Sequence, residues 1–347
     1  MGSKKQIKVG GVKIGGDAEV TVQSMTNTKT SDVHATAAQI NRLKELGCDI
    51  VRVAVPDMES ADAIYEIKKL TNIPLVADIH FDYRLAIRAA EAGADKLRIN
   101  PGNIGGDEHV RAVADICTRM GIPIRVGVNA GSLSKALIAK HGGVTPESMF
   151  ESASEHIRML NRFDFDDICV SVKASSVPLT IEAYRLMSAR LDYPLHLGVT
   201  EAGTDYMGLV KSSIGIGALL ADGIGDTIRV SLTAQPESEV TSGLAILRSL
   251  GLRKGYEFIS CPTCGRCKID LISIAREVEE RLESLSREIS VAVMGCSVNG
   301  PGEASRADYG IAGGDGEGVI FCKGAVLRKV PMVRLVEELF IAINERE

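Results

Sequence analysis

Cys261, Cys264 and Cys267 lie close together in the stretch ISCPTCGRCKID, and Cys296 opens a second Gly- and Pro-bearing turn, GCSVNGPGE. The chain has only eight cysteines. In a reducing compartment such a concentration implies metal or redox chemistry before it implies disulfides. CxxC alone is shared by zinc and redox sites. CxxC joined by a distant cysteine, each on a turn after a strand, can surround one centre. A bacterial ferredoxin run would read CxxCxxCxxxCP. Here Leu271 stands where its fourth cysteine belongs, so a self-contained ferredoxin loop is excluded. Three thiolates with a harder or absent fourth ligand would leave one iron open, which suits catalysis better than electron carriage. A structural zinc is the alternative. Glu303 shares the second turn, either as a ligand or as a surface residue. Cys267 is either a bystander one turn beyond Cys264 or a thiol near the cluster. Cys48, Cys117, Cys169 and Cys322 sit in apolar runs and are expected in the core.

A second constellation is cationic, and strand parity exposes it. Short β-branched runs recur at 20–25, 49–56, 73–80, 96–100, 124–129, 167–173, 194–199 and 227–233, separated by amphipathic stretches that often close on Gly. Side chains alternate faces along a strand. One face is apolar, as in Val51, Val53 and Val55 or Ile124, Val126 and Val128. The other carries Gln23, Arg52, Asp78 with His80, Arg98 with Asn100, Arg125 with Asn129, Ser171 with Lys173, His196 with Thr200, and Arg229 with Ser231. Eight alternating strand–helix units predict a parallel (β/α)₈ barrel of the α/β class. A doubly wound open sheet is the alternative. A barrel interior is normally filled by branched apolar side chains. Several cations there are costly unless they are paired or meet a ligand. The polar residues come late in their strands, at the mouth where this fold places active sites. Arg52, Arg98, Arg125, Lys173 and Arg229 are expected to converge there, joined by Lys211 from the following loop. Ser212, Ser213 and Gly215 are expected at a helix start, a natural anion site. The inferred ligand is a small, multiply charged anion, most simply a diphosphate. Without a ligand the cations would form a buried network, with Asp78 and Glu201 as counter-ions. His34, His109, His141 and His156 are expected at the surface.

The barrel is assigned to residues 1–253 and a small α+β module to 254–347, with strands delivering both cysteine turns, two antiparallel strands and a closing helix. With 347 residues, 45% hydrophobic and 24% charged, the chain is an ordinary globular one. A net charge of −5 and 4% aromatics, with no Trp, argue against nucleic acid. No apolar run approaches the roughly 20 residues that span a bilayer, and the opening MGSKKQIKVGGVKIGG has no signal-peptide run, so no membrane and a cytoplasmic address are expected.

CPTCGR (261–266) with MGCSVNGPGE (294–303) resembles the signature of the bacterial 4-hydroxy-3-methylbut-2-enyl diphosphate synthases, iron–sulfur enzymes of the methylerythritol phosphate route to isoprenoids. VQSMTNTKT, VRVAVP, ADIHFD, LRINPGNIG, RVGVNAGSL, HLGVTEAG, KSSIGIGALL and DTIRVSLT are similar to that family in the same order, so the resemblance spans nearly the whole chain. It implies a [4Fe–4S] cluster on Cys261, Cys264, Cys296 and Glu303. It implies reductive opening and dehydration of 2-C-methyl-D-erythritol 2,4-cyclodiphosphate, with ferredoxin or flavodoxin as donor. It also implies a head-to-tail homodimer in which the cluster module of one subunit caps the barrel of the other. On this basis Arg52, Arg98, Arg125, Lys173 and Lys211 hold the cyclic diphosphate, and Asn129 and Ser231 orient it. Glu303 is the exchangeable cluster ligand, and Glu201 or His80 handles protons. Cys267 departs from the family, which usually has another residue there. The rivals are another iron–sulfur reductive dehydratase of a phosphorylated small molecule and a zinc-stabilised anion-binding protein.

Overall fold

Short polar side chains fix where most helices of the first unit begin. Asp32 accepts from the Ala35 amide ahead of α1 (Val33–Glu45), Asp57 from Ser60 ahead of α2 (Met58–Leu70), and Asp82 from Arg84 ahead of α3 (Tyr83–Glu91). Gly106 precedes α4 (Asp107–Met120). Ser134 caps the short α5 (Lys135–His141), Thr145 caps α6 (Pro146–Asn161) in a capping box, and Ser176 caps α7 (Val177–Arg190). Helices α8 (Asp205–Ala221) and α9 (Pro236–Ser249) complete the set. The computed structural model describes residues 3–285, 287–296 and 304–345. It divides into two compact units, Met1–Leu252 and Arg253–Glu347.

In the first unit a hairpin, β1 (Gln6–Val9) and β2 (Val12–Gly15), precedes the barrel strands. These are β3 (Thr21–Met25), β4 (Ile50–Ala54), β5 (Leu75–Asp78), β6 (Lys96–Ile99), β7 (Ile124–Asn129), β8 (Ile168–Lys173), β9 (His196–Leu197) and β10 (Thr227–Ile228). They pair in parallel in the order β8-β7-β6-β5-β4-β3-β10-β9, and a bridge from Val170 to Leu195 joins the two ends. The result is the expected eight-stranded parallel barrel. Val51, Val53, Val126, Val128, Val170 and Val172 pack outward in one apolar cluster with helix residues such as Ile40, Ile64, Ala89 and Val113.

The hairpin was not expected. Its residues alternate exposed and buried, and Ile7, Val9 and Ile14 cluster with Ile50, Val76 and Cys169. These last three sit low in their strands, so the hairpin seals the N-terminal end of the barrel. The open end is the one at the carboxyl ends of the strands.

The second unit has five strands in the order β11 (Tyr256–Ser260), β12 (Ile289–Met294), β13 (Tyr309–Gly313), β14 (Glu317–Cys322) and β15 (Ala325–Pro331). The first three run parallel and the last three antiparallel. Helix α10 (Leu271–Glu283) makes the crossover that a parallel pair requires. With α11 (Leu335–Asn344) it covers the sheet through Val278, Leu282, Val291, Val293, Ile311 and Leu339. Among the described residues no helix is long and apolar enough to cross a membrane.

Candidate active site

Barrel register brings charged side chains face to face. Arg98 pairs in register with both Asp78 and Arg125, and Asn129 with Lys173. Arg125 is 1% exposed, Asp78 4%, Lys173 8% and Arg98 9%. Asp78 is the shared counter-ion: its carboxylate lies 3.1 Å from Arg98 Nη1, 3.8 Å from Arg52 Nε and 3.4 Å from His80 Nε2. Burial opposes its ionisation, yet Arg52, His80, Arg98 and Arg125 prevail and hold the carboxyl well below the usual carboxylate range. Arg52 also points Nε and Nη2 at the Met25 sulfur, at 3.0 and 2.8 Å.

Arg229 is neutralised elsewhere. Its guanidinium reaches Glu239 of α9 at 3.1 Å, and Glu239 also accepts from the Ser24 hydroxyl and the Leu232 amide. The expected counter-ion Glu201 is instead exposed, in the left-handed region at φ 53°, in the loop after β9. Asp226 accepts from the Ser3 and Leu195 amides ahead of β10. Apart from the Arg229–Glu239 pair, therefore, Asp78 is the interior carboxylate that Arg52, Arg98 and Arg125 share among the described residues, and neither Lys96 nor Lys173 is in an ion pair with any of them. Arg98 Nε, Arg125 Nε and Nη1, and Lys96 Nζ are buried with no hydrogen-bonding partner among the described residues. Burial, then Arg125, Arg229, Arg52 and Arg98, push the Lys173 ammonium well below the ordinary lysine range. Burial and the same surroundings keep His196 neutral. A cluster this short of negative charge is a receptor for an anion.

Two glycines make room for it. A side chain at Gly198 would begin 2.6 Å from Lys173 Nζ and 2.7 Å from the Arg229 carbonyl oxygen. One at Gly127 would begin 2.8 Å from Arg98 Nε. Gly198→Ala is the stricter test, because one of its neighbours is backbone. It should cost about 1–3 kcal/mol of stability, the usual penalty of overpacking, seen as a lower Tm. It should also raise KM by displacing Lys173. An unchanged Tm and KM would show that the ammonium is not confined there.

Several expectations need correction. Helix α8 begins at Asp205, so Ser212, Ser213 and Gly215 lie within it and form no helix-start anion site. Lys211, half-buried, is in its second turn rather than in a loop. Strands β9 and β10 are two residues each, so Arg229 and the half-buried Ser231 lie beyond β10. His109 is not a free surface group: it stacks on Tyr83 with ring centroids 4.0 Å apart. Burial pushes His156 down to about 4. Lys96, 0% exposed, was missed, although it shares strand parity with Arg98.

In the second unit the two cysteine turns leave adjacent parallel strands at the same end. Ser260 of β11 pairs with Val293 of β12, and the Cys261 amide donates to the Val293 carbonyl. The Gly295 amide donates to Cys261 Sγ at 3.2 Å. Cys264 is exposed, and the Arg266 amide lowers its thiol pKa. Cys296 is half-buried. Cys267 Sγ instead donates to the Ile269 carbonyl at 3.3 Å. Among the described residues no three His, Cys, Asp or Glu side chains are already gathered as a metal site. Glu303 lies outside the described residues. The donor set nonetheless fits an iron–sulfur group: three thiols on two turns at one sheet end, with a backbone amide already donating to one sulfur. Of the remaining cysteines, Cys48, Cys117 and Cys169 are buried, and burial pushes the Cys48 thiol up to about 12. Cys322, expected in the core, is half-buried. A cleft lined by Arg287, Asp308 and Lys323 lies at the opposite end of the β12 strand from Cys296.

Comparison with known proteins places both units. Residues 4–244 match the GcpE TIM-barrel domain and residues 257–345 the GcpE protein C-terminal domain. A relative from Ruminiclostridium cellulolyticum, named 4-hydroxy-3-methylbut-2-en-1-yl diphosphate synthase (flavodoxin), is 59% identical over 98% of this chain and 97% of its own. Relatives of the same name from Caldanaerobacter subterraneus subsp. tengcongensis and Clostridium perfringens are each 60% identical over 98% of this chain, and over 96% and 98% of their own. Among solved structures, type I 3-dehydroquinate dehydratase from Clostridium difficile superposes with a TM-score of 0.52 at 16% identity. It covers 71% of this chain and 98% of that one, a likeness of fold alone.

Proposed function

The chain belongs to the family of 4-hydroxy-3-methylbut-2-en-1-yl diphosphate synthases, and from that membership we propose that it opens and dehydrates 2-C-methyl-D-erythritol 2,4-cyclodiphosphate reductively, in isoprenoid precursor biosynthesis. The observation that carries this is the excess of buried, unpartnered cationic groups in the barrel, above all Arg125. Arg52, Arg98, Arg125 and Lys173, with Lys211 from α8, bind the two phosphates. Asn129 and Ser231 orient the ring.

Opening the ring at one C–O bond and expelling a hydroxyl as water consumes two electrons and one proton. Glu201 or His80 supplies the proton. His80 suits this role because its Nε2 lies against the permanently ionised Asp78 while its ring is more than half exposed. Cys261, Cys264, Cys296 and Glu303 hold a [4Fe–4S] group, which supplies electrons singly when bound. The donor is flavodoxin, as in the relatives' names, or ferredoxin. The working form is a cytoplasmic homodimer whose active site draws on both subunits.

The direct test is anaerobic turnover of the cyclic diphosphate with a chemical reductant. A brown protein containing iron and sulfide that forms the allylic diphosphate supports the proposal. A colourless protein with one zinc, or a brown one inert toward this ring, overturns it. Glu303→Ala should keep the brown colour and lose most turnover. Full activity in that variant would remove Glu303 from the exchangeable position.

A further inference from the structure

Lys96 lies below the phosphate-binding layer, and among the described residues no carboxylate acts on it. It opens β6 with its side chain on the interior face, two residues before Arg98, and pairs in register with Val76. Its Nζ is buried and has no hydrogen-bonding partner among the described residues. The groups acting on it come from several strands: Arg52 from β4, Arg125 from β7 and the Cys169 thiol from β8. His196 of β9 also senses it and is itself held neutral. From below, Ile7, Val9 and Ile14 of the hairpin, with Val12, pack on Ile50, Val76 and Cys169, while Lys8 and Lys13 are exposed. Asp226 acts on Cys169 and accepts from the Ser3 and Leu195 amides. Among the described residues Lys96 thus has two guanidinium neighbours and no carboxylate.

We propose that Lys96 takes up a proton when the anionic ring binds above it, so that substrate binding and protonation of the barrel floor are coupled. The inference rests on the diphosphate reading of the site. The arginines serve this purpose poorly near pH 8, because even Arg125, pushed down to about 10, keeps its charge there. A lysine amine can lose its proton to relieve repulsion in the empty barrel and regain it when negative charge arrives. Burial, outweighing the other influences, together with Arg125 and Arg52, brings Lys96 down to about 8. Two phosphate charges at the mouth act in the opposite direction. The proton passes from solvent to the Nζ lone pair, and no bond of the ring changes. Each phosphorus of the ring carries a single ionised oxygen, so the ligand does not titrate near neutrality.

The experiment is calorimetric titration of the oxidised, cluster-loaded protein with the cyclic diphosphate. It is run anaerobically without reductant, in two sulfonate or amine buffers of different ionisation enthalpy. The difference in heat between buffers counts protons. For the parent, uptake should rise by about one proton per site between roughly pH 7 and pH 9.5, centred near the free-state value of about 8. In Lys96→Met this step should vanish while binding remains. Uptake that does not change between parent and Lys96→Met belongs to other groups, Lys173 among them, whose ammonium burial also pushes down. Lys96→Met removes an unpaired buried charge, so its Tm should match or exceed the parent's. If it fails to fold, the pH profile of the parent alone decides. Binding with no step near pH 8, or a step that persists in Lys96→Met, overturns this inference and leaves the function standing. No binding at all by the parent overturns the function, and this inference with it.

Discussion

Cys261→Ala should yield a folded, colourless protein with no measurable turnover, a loss of at least about a thousandfold. Cys261 leaves the end of β11 directly beside β12. Its amide is fixed by the Val293 carbonyl and its sulfur already receives the Gly295 amide at 3.2 Å. An amide aimed at a thiolate sulfur stabilises its negative charge, as cluster sulfurs generally require. Alanine deletes the acceptor of the Gly295 amide and one of the three thiolates of the proposed ligand set. The fold should survive, since Cys261 is only half-buried against the sheet core. Iron and sulfide analysis with near-neutral CD checks both halves of the expectation. Cys267→Ala is the control. That sulfur donates to the Ile269 carbonyl at 3.3 Å and packs against the core of its own unit, so its loss should leave colour and most activity intact. A brown, active Cys261→Ala, or a colourless Cys267→Ala, would exchange the roles of the two thiols.

The barrel was legible because its strands must be apolar on one side only. Val51, Val53 and Val55 repeat at every second residue, as do Ile124, Val126 and Val128, and that period fixes which side chains point inward. The cationic row followed from the same parity without any knowledge of neighbours. What parity could not supply was the partner from another element. Glu239 neutralises Arg229 from α9, a helix whose sequence gives no sign that one of its carboxylates turns inward. Lys96 was within reach, because it shares parity with Arg98. What hides it is its place at the start of the strand, at the closed end, whereas this fold binds its ligands at the other end.

Two further misses have local causes. The hairpin of Gln6–Val9 and Val12–Gly15 has four residues a strand, too few for the alternation of Ile7 and Val9 about Lys8, and of Val12 and Ile14 about Lys13, to stand out. It is fixed by burial against Ile50, Val76 and Cys169, contacts that span much of the chain. The start of α8 was misplaced because Gly208, Gly215 and Gly217 weaken the helical pattern. The helix persists because small residues let it pack closely: a side chain at Gly215 would begin 2.7 Å from Val199. The cysteine turns were legible as motifs, since CxxC and GCSVNGPGE are contiguous. Their meeting at one end of the sheet depends on the β11–β12 register, which a motif does not encode.

Arg125→Met should separate ligand binding from structural support more sharply than any other barrel substitution. Arg125 is 1% exposed, faces Arg98 in register, and leaves Nε and Nη1 without partners among the described residues. Burial and Arg98 push it down to about 10, so it remains charged at neutral pH. In the ligand-free protein that charge is a burden, and replacing it with an apolar chain of similar length should leave Tm unchanged or higher. With the ring bound the balance reverses. Removing one partner of a buried ion pair costs about 3–5 kcal/mol, so kcat/KM should fall by roughly a hundred- to several-thousandfold. Arg229→Met should behave in the opposite sense on stability, because it strands Glu239, 6% exposed in its side chain, without its cation. A Tm that falls for Arg125→Met as it does for Arg229→Met, with kcat/KM preserved, would mean that the interior cations stabilise one another's surroundings and hold no phosphate. A steady Tm with lost catalysis fits only a charge kept in place for a ligand, since the folded chain gains nothing from it otherwise.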